Sequence, residues 1–368
     1  MRTCGKLIGI GAAGNKAAIE AIERGVIERS KVVLLNSTLK DIPSEYADIS
    51  LKISKDLGGC GKERGKAKAM MKTSLKESTF DADSFLDPED KMVVIVFSSE
   101  GGTGSGAGPI LAKYFREVVG VNVHTFIFTG FESDGRGLQN TIDVFKDMQS
   151  NFVIQAISNK KFRNEDNRIK AEQAANVEFA TRLSVLFGND IIDSAQNIDE
   201  TDHLKVVTTP GFMDIESFKL EDFKNQKEFN SMVAEALDSS PSLDFEPTVM
   251  RLAVILNVKE KTLDKIDFEF PVLKKKVGVP FELFTHIQYD GKDEYMSIIA
   301  SGIKMPIEAV EKAYKKFQEV FAQTDMTEEA FYNRVSEMDT TNSTFDMDLG
   351  ARKNVDVTKK NAFFDDED

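Results

Sequence analysis

The first half of the chain alternates apolar runs, each long enough for one strand, with stretches of helical periodicity. The apolar runs begin at positions 6, 31, 91, 121 and 151 and read KLIGI, KVVLLN, KMVVIVFSSE, VNVHTFIFTG and NFVIQAIS. After the first run, Ala18, Ile19, Ile22 and Val26 recur at helical spacing. Strands that are apolar throughout are buried on both faces, and intervening helices form the crossovers of a parallel sheet. The sequence therefore predicts an α/β fold with a doubly wound parallel sheet.

The second half has a different order of predicted helices and strands. Residues 168–187 form a long helical pattern that we expect to join the two halves. Beyond it we expect a smaller α+β domain with a helix near 218–238, strands at 248–258, 282–290 and 294–301, and a helix over 306–321. The last two strands flank DGK and predict a hairpin. The predicted units are 1–190 with the central helix, 191–338, and a polar tail, 339–368, which ends in FFDDED.

Composition excludes several function classes. The 368 residues fit two domains. A net charge of −14 argues against a broad surface for nucleic acid. Cys4 and Cys60 provide neither a disulfide framework nor a zinc motif, and no apolar run approaches the ~20 residues of a membrane span. We therefore expect a soluble cytoplasmic protein with no membrane contact.

A first glycine motif, G-I-G-A-A-G, contains Gly9, Gly11 and Gly14 and lies between a predicted strand and helix. Glycines allow close approach of a pyrophosphate to the backbone, and the helix N-terminus provides free N–H groups. The motif also matches the dinucleotide fingerprint, but Asn36 and Ser37 stand where that fold needs an acidic residue. A tight turn without a ligand stays open as an alternative.

A second glycine motif, EGGTGSG at 100–106, also lies between an apolar strand and a helix. Its four glycines, threonine and serine provide N–H and hydroxyl donors that suit a polyanion. It is not a P-loop, because G-x-x-x-x-G-K-[ST] is absent. Two such turns on one sheet predict one extended phosphate ligand, and a purely structural glycine cluster is the alternative.

The GGTGSG motif resembles the signature loop of the tubulin/FtsZ superfamily of polymerising GTPases. Further matches follow in the family's order: GIGAAGN (9–15) is similar to its first nucleotide loop, LGGCGKERGKAKA (57–69) to its third, and FESDGRG (131–137) to its sugar-side segment. The resemblance implies GTP or GDP as ligand, with Mg²⁺ bound mainly through the nucleotide and its protein ligands left open. It implies nucleotide contacts by Gly11, Ala12, Ala13, Gly14, Asn15, Gly58, Gly59, Gly61, Gly101, Gly102, Thr103, Gly104, Ser105, Gly106, Glu132, Arg136, Asn159 and Asn176.

The segment NIDETD (197–202) follows the long helix and is similar to the family's N-x-D-x-x-D/E loop. The resemblance implies that Asp199 and Asp202 are catalytic and act on the nucleotide of the next subunit, where hydrolysis needs an oriented, polarised water. We expect this segment to open a helix. The alternative is that Asp199 or Glu200 merely caps that helix.

Three departures from the family pattern stand at the predicted site. Glu100 takes the place of a glycine and brings negative charge near the phosphates, Ala12 and Ala13 replace glycines, and Glu172 occupies the position of an aromatic that stacks on guanine. The chain is most similar to the divergent plasmid and phage branch, the TubZ type.

The resemblance implies a head-to-tail filament of this chain with itself, which moves or positions plasmid or phage DNA through a DNA-binding adaptor in the bacterial cytoplasm. Direct nucleic acid binding is not expected. A cell-division filament, a structural filament that barely hydrolyses nucleotide, and a dinucleotide-dependent oxidoreductase are the alternatives. The oxidoreductase leaves GGTGSG and NIDETD without a role.

Overall fold

A computed structural model describes residues 4–55, 58–132, 134–148, 152–162, 167–189, 191–192 and 198–322, with backbone only at 320–322. The predicted tail at 339–368 and Asn197 lie outside these residues. The first half contains β1 (Gly5–Ile10), α1 (Gly11–Glu23), β2 (Val32–Asn36), β3 (Ser50–Lys52), α2 (Arg64–Lys76), β4 (Met92–Ser98), α3 (Gly102–Tyr114), β5 (Asn122–Thr129), α4 (Gly135–Asp147), β6 (Val153–Ser158) and α5 (Arg168–Leu186). The second contains α6 (Glu200–Val207), β7 (Gly211–Lys219), α7 (Gln226–Asp238), β8 (Arg251–Asn257), α8 (Glu260–Leu263), α9 (Pro271–Val277), β9 (Glu282–Gln288), β10 (Tyr295–Ile303) and α10 (Ile307–Ala322).

These strands form one sheet in the order β3-β2-β1-β4-β5-β6-β7-β10-β8-β9. Strands β1 to β6 are parallel to their neighbours, and Ile8 of β1 pairs with Val33 on one side and Ile95 on the other. The predicted α/β class with a doubly wound parallel sheet is confirmed. The predicted helices at 168–187 and 306–321 are also confirmed, as α5 and α10.

Two predictions for the second half are wrong. Strands β9 and β10 do not form a hairpin: β10 lies between β7 and β8, and β9 pairs in parallel with β8. The short connection crosses the end of β8, where Asn257 donates a hydrogen bond to Asp290 at 2.9 Å. The helix expected near 218–238 begins only at Gln226, because residues Gly211–Lys219 form β7.

Alternating residues of the strands build two cores, one on each face of the sheet. Ile8 and Ile95 belong to the core that α2, α3 and α4 cover, whereas Leu7 and Val94 belong to the core beneath α1 and α5. Because helices cover both faces of the sheet, the backbone of the central strands is accessible only at the strand ends. Within the described residues, no helix combines the length and apolar character needed to cross a membrane.

The central helix α5 is tied to β7 by a buried ion cluster. Arg182 is fully buried and donates to Glu178 at 2.6 Å, Asp214 at 3.0 Å and Glu216 at 2.6 Å. Asp214 and Glu216 interrupt the apolar pattern of β7, which is why the sequence does not indicate a strand there. Between β6 and β7 only two residue pairs are in register, Val153 with Gly211 and Ile154 with Phe212. The division into domains near 190 stays a prediction.

Candidate functional site

The strand order reverses between β1 and β4. From β1 the chain proceeds to β2 and β3 on one side, and from β4 to β5 and β6 on the other. In open α/β sheets a ligand binds in the crevice outside the carboxyl ends of the strands at such a switch point. Helix α1 starts at Gly11 directly after β1, and α3 starts at Gly102 shortly after β4. Both glycine motifs therefore lie at this point, within first helical turns rather than in long loops.

Among the described residues, helices α1 and α3 start at this edge without a side-chain cap, a property that they share with the short helices α8 and α9. Within the described chain, no side chain caps α1, α2 or α3. By contrast, α4, α5, α6 and α7 are capped by Asp134, Asn167, Asp199 and Asn225. Uncapped N-terminal N–H groups and the helix dipole favour an anion. The first turns of α1 and α3 consequently provide a polarised donor set with no competing acceptor from a side chain.

A cleft of about 460 Å³ opens at these helix starts. The predicted site residues that line it are Gly11, Ala12, Ala13, Gly59, Gly61, Gly101, Gly102, Thr103, Gly104, Asn159 and Asn176. Polar and aromatic residues that the sequence analysis did not select also line it: Lys16, Asn36, Ser37, Thr38, Asp41, Lys62, Phe131 and Arg168. The structure thus brings the three glycine-rich segments to one cavity.

Close backbone approach between these segments depends on glycine. Gly11 has φ of +73°, and a Cβ there would lie 3.2 Å from the nitrogen of Gly104. The Gly102 N–H donates to the carbonyl of Gly61 at 3.2 Å, and the Ser37 and Thr103 hydroxyls are 3.0 Å apart. At Gly101, by contrast, an added Cβ would have no atom within 4 Å, so this Cα faces open space.

Some predicted contact residues lie in the protein interior rather than on the cleft wall. Gly14 packs against β4, where a Cβ would overlap the Val96 carbonyl. Asn15 is buried and donates to the carbonyl of Leu35 at 3.3 Å. Their nucleotide contacts stay predictions.

The end of the second motif is also internal. Ser105 is fully buried and donates to the carbonyls of Gly101 and Gly102. Gly106 faces α2, where a Cβ would lie 2.7 Å from that of Ala67. These residues support the first turn of α3, while Gly101 to Gly104 face the cleft.

The remaining predicted residues lie beside the cleft. Gly58 would have no atom within 4 Å of an added Cβ. Glu132 has φ of +54°, and its carboxylate accepts from Lys160 at 2.5 Å. Arg136 is half-buried in the first turn of α4. None of these three is part of the cleft wall described above, and their roles stay predictions.

Two asparagines on the cleft wall have amide atoms without a hydrogen-bond partner among the described residues. Asn36 is 3% exposed and its Nδ2 is unpaired, and the Oδ1 of Asn159 is also unpaired. A buried polar atom without a partner costs about 1–3 kcal/mol, so these atoms are suited to ligand contacts. Asn36 is the last residue of an apolar strand at the carboxyl edge, which is a signal that would have selected it.

Basic residues surround Glu172, which occupies the expected base-stacking position. Its carboxylate accepts from Arg168 at 2.9 Å and lies 3.6 Å from the Lys16 ammonium. The Arg168 guanidinium lies over the ring of Phe131, 4.9 Å from its centroid. A planar guanidinium on an aromatic ring is a surface on which a base can stack. Phe131 precedes Glu132 in the predicted sugar-side segment, which is how it could have been selected.

Glu100 is 9% exposed, and burial raises the pKa of its carboxyl group. The backbone N–H of Glu132 donates to Oε1 at 3.1 Å and Lys62 lies nearby, and both oppose this rise in pKa. The acid in place of a glycine is thus mostly buried, although Glu100 is one of the residues that line the cleft.

Asp199 and Asp202 lie at the other end of the molecule from the cleft. Helix α5 starts at the cleft with Arg168, and its 19 residues extend for about 28 Å. Beyond its far end, Asn189 donates to the carbonyl of Val26, past the end of α1. Asp199 caps α6 by accepting from the N–H of Asp202 at 2.8 Å, so the prediction that this segment opens a helix is confirmed. Within one chain, the two acids and the phosphate loops are not brought together.

The donor set fits a polyphosphate: uncapped N–H groups and the side chains of Thr103, Lys16 and Lys62 belong to one cavity, where Lys16 lies near Glu172 and Lys62 is paired with Asp134. In the described part of the chain, no cluster of three or more His, Cys, Asp or Glu side chains could hold a metal ion.

No family model matches the chain. Among curated proteins, the cell division protein FtsZ of Mycoplasmopsis pulmonis is 28% identical over 160 residues. The match spans 42% of this chain and 39% of that protein, or about two fifths of its length.

Several solved structures share the fold over most of this chain. TubZ of Clostridium botulinum phage c-st, truncated at its C-terminal tail, has a TM-score of 0.69 at 21% identity, covering 87% of this chain and 98% of that one. CetZ2 from Haloferax volcanii, in a GTPγS-bound protofilament, has a TM-score of 0.70 at 17% identity, covering 88% and 100%. TubZ of Bacillus thuringiensis serovar israelensis, in a GTPγS-form protofilament, has a TM-score of 0.67 at 16% identity, covering 88% and 95%. The resemblance to the tubulin/FtsZ superfamily is confirmed at the level of the fold.

Proposed function

We propose that this chain binds GTP in the cleft at the switch point, assembles head to tail into filaments, and hydrolyses the nucleotide at the contact between subunits. The observation that carries the proposal is the pair of uncapped, glycine-rich helix starts, α1 and α3, which open on one cleft. The CetZ2 and Bacillus TubZ structures, both solved as GTPγS protofilaments, support the choice of ligand and of self-association.

In this proposal the N–H groups at Gly11 to Ala13 and Gly101 to Gly104 bind the phosphates. The unpaired amide atoms of Asn36 and Asn159 orient the nucleoside together with Asn176. Mg²⁺ would supply charge neutralisation on the phosphates and be held mainly through their oxygens.

The acidic residues come from a second copy of the chain. Asp199 and Asp202 lie on a first helical turn remote from the cleft, with Asp199 exposed. An open head-to-tail contact brings this turn to the neighbouring cleft, where the carboxylates orient and polarise the attacking water. Because the contact is heterologous, it produces filaments rather than closed dimers.

The test is the rate of GTP hydrolysis as a function of protein concentration, with light scattering recorded in the same sample. We expect both signals to appear above one critical concentration. Hydrolysis that is linear in protein without scattering would mean that the site is complete within one chain. Absence of GTP binding in a fluorescent-nucleotide titration would contradict the proposal altogether.

Asp199 variants separate catalysis from helix capping. Asn caps as well as Asp, so Asp199→Asn keeps the cap of α6 while it removes the charge. We expect Asp199→Asn and Asp199→Ala to lose most hydrolysis and retain GTP binding, and only the alanine variant to lose about 1 kcal/mol of stability. Full hydrolysis by Asp199→Asn would show that the carboxylate has no catalytic role.

The cellular role that we propose is segregation or positioning of plasmid or phage DNA in the cytoplasm, through a DNA-binding adaptor. The test is the retention of a plasmid that carries this gene and its neighbours, compared with the same plasmid encoding Asp199→Asn. We expect loss of the plasmid with the variant. Equal retention would contradict the segregation role and favour cell division, the role in the name of the FtsZ relative.

A further inference from the structure

The Glu100 side chain lies in a narrow slot between two glycines. A Cβ on Gly130, just past the end of β5, would lie 2.6 Å from Oε1 of Glu100 and would overlap Oε2. A Cβ on Gly137, in the first turn of α4, would lie 3.1 Å from its Cγ. A side chain at position 130 would displace this carboxylate from the slot, and one at position 137 would crowd it.

The carboxylate holds a strained corner of the backbone. Oε1 accepts the N–H of Glu132 at 3.1 Å, and Glu132 has φ of +54°, a conformation that a residue other than glycine rarely adopts. Such a conformation persists only where the surroundings enforce it. The hydrogen bond from Glu132 to Glu100 provides that restraint for the corner formed by residues 130–132.

Two residues of this corner, Gly130 and Phe131, line the cleft. Phe131 lies on the cleft wall beneath Arg168, and the Glu132 carboxylate is paired with Lys160, next to Asn159. Glu100 itself precedes Gly101, at the start of the phosphate-binding segment. Its own carbonyl is held separately by the Asn140 amide at 3.3 Å, so the backbone of that segment does not depend on the carboxylate.

We propose that Glu100 is a positioning residue that holds the 130–132 corner and thereby shapes the wall that contacts the nucleoside, not the phosphates. The proposal rests on the proposed nucleotide-binding function. The charged groups around Glu100 are Asp134, Lys62 and Arg168. Because the restraint needs only an oxygen acceptor, an amide at position 100 can replace the carboxylate.

The experiment compares two ligands by displacement of a fluorescent GTP analogue: GTP and inorganic tripolyphosphate. We expect Glu100→Ala to weaken GTP binding about tenfold, the effect of losing one hydrogen bond to a charged group, and to leave tripolyphosphate binding within about twofold. Glu100→Gln should bind both like the wild type. Glu117→Ala, the same change at an exposed position of the surface, is the matched control.

Equal weakening of both ligands by Glu100→Ala, or a Glu100→Gln variant as weak as the alanine variant, would overturn the proposal. Failure of the wild type to bind GTP would instead contradict the proposed function, so the two failures are distinguishable.

A second variant keeps the test decisive if Glu100→Ala folds poorly. Gly130→Ala should displace the carboxylate, weaken GTP binding about tenfold and leave tripolyphosphate binding within about twofold, because the added methyl group fills the slot. The double variant should then bind GTP no more weakly than either single variant, since both changes remove the same restraint. Additive losses would show that the two positions act independently and would overturn the proposal.

Discussion

Gly101 is the residue at which binding and folding can be separated most cleanly. It has φ of −78°, and an added Cβ would have no atom within 4 Å, so alanine fits the folded chain. We expect Gly101→Ala to unfold in urea like the wild type and to bind GTP at least tenfold more weakly, because its methyl group occupies the space for phosphate. Gly65→Ala, exposed in α2 and also without neighbours, is the control and should bind normally. Tight GTP binding by Gly101→Ala would remove this residue from the site.

Arg182 carries a buried charge on which three carboxylates depend. Burial raises the pKa of Glu216 to about 8, and Arg182 opposes that rise. We expect Arg182→Met to lower the free energy of unfolding in urea by about 3–5 kcal/mol, because acids remain buried without their partner. Arg24→Met removes an exposed ion pair with Glu20 and should change the free energy of unfolding by less than about 1 kcal/mol. Similar values for the two variants would mean that the cluster is not stabilising.

The buried histidines predict a loss of stability in acid. Burial lowers the pKa of His124 to about 3 and of His203 to about 4, below their usual 6.5. Between these values and 6.5 the unfolded chain binds protons that the folded chain does not, so stability present above pH 6.5 is lost as the pH falls. Urea unfolding from pH 7 to 5 should therefore show a steeper decline for the wild type than for His124→Asn. Parallel declines would contradict a buried neutral His124.

At the scale of single residues, the sequence predicts the glycines on the cleft wall but misses Asn36 and Phe131. These two residues reach the cleft because the ends of separate strands lie side by side in the folded sheet, and the sequence does not show which strands are neighbours. It also cannot show that Asn15 and Ser105 turn inward. Their amide and hydroxyl groups are chemically suited to either environment, and only packing decides between them.

Helices α2 and α3 pack closely because Gly106 lies between them. An added Cβ would lie 2.7 Å from that of Ala67 and would overlap the backbone carbonyl of Arg64, which cannot move aside alone. We expect Gly106→Ala to lower the free energy of unfolding by about 1–3 kcal/mol. Gly65→Ala in the same helix pair should raise the free energy of unfolding by up to about 1 kcal/mol, because alanine has a higher helix propensity than glycine. Stabilisation by Gly106→Ala would mean that the helices can separate at no cost.

Elements with uniform apolar patterns are predicted correctly, as for β4 and β5. Strand β7 is missed because Asp214 and Glu216 interrupt its apolar pattern, and only the distant Arg182 makes them compatible with burial. The hairpin is wrong because β8 is apolar enough to pair on both sides, and it takes the place between β9 and β10.

The whole molecule shares one sheet, and this limits how the proposed domain boundary near 190 can be used. A fragment of residues 1–190 exposes the edge of β6 and leaves Arg182 without Asp214 and Glu216. We expect this fragment to be mostly insoluble when expressed alone, measured as the soluble fraction after lysis, and Arg182→Met to increase its solubility. A fragment that is soluble and unfolds cooperatively would show that the first half folds independently.

At the scale of the whole molecule, the alternation of strands and helices in the sequence predicts the fold class. The position of the switch point depends on the order of the strands in the sheet, and the sequence does not show that order. The separation of Asp199 from the cleft is likewise visible only once the length and direction of α5 are known.

The slot around Glu100 also constrains the order in which this site can change during evolution. Gly130 cannot gain a side chain without displacing the Glu100 carboxylate, whereas the glutamate can be lost first without a steric conflict. A lineage that replaces Glu100 with glycine can then acquire a side chain at position 130, and a later return to glutamate at position 100 would meet the same steric conflict. Descendants of this chain should therefore retain glycine at 130 wherever they retain an acid at 100.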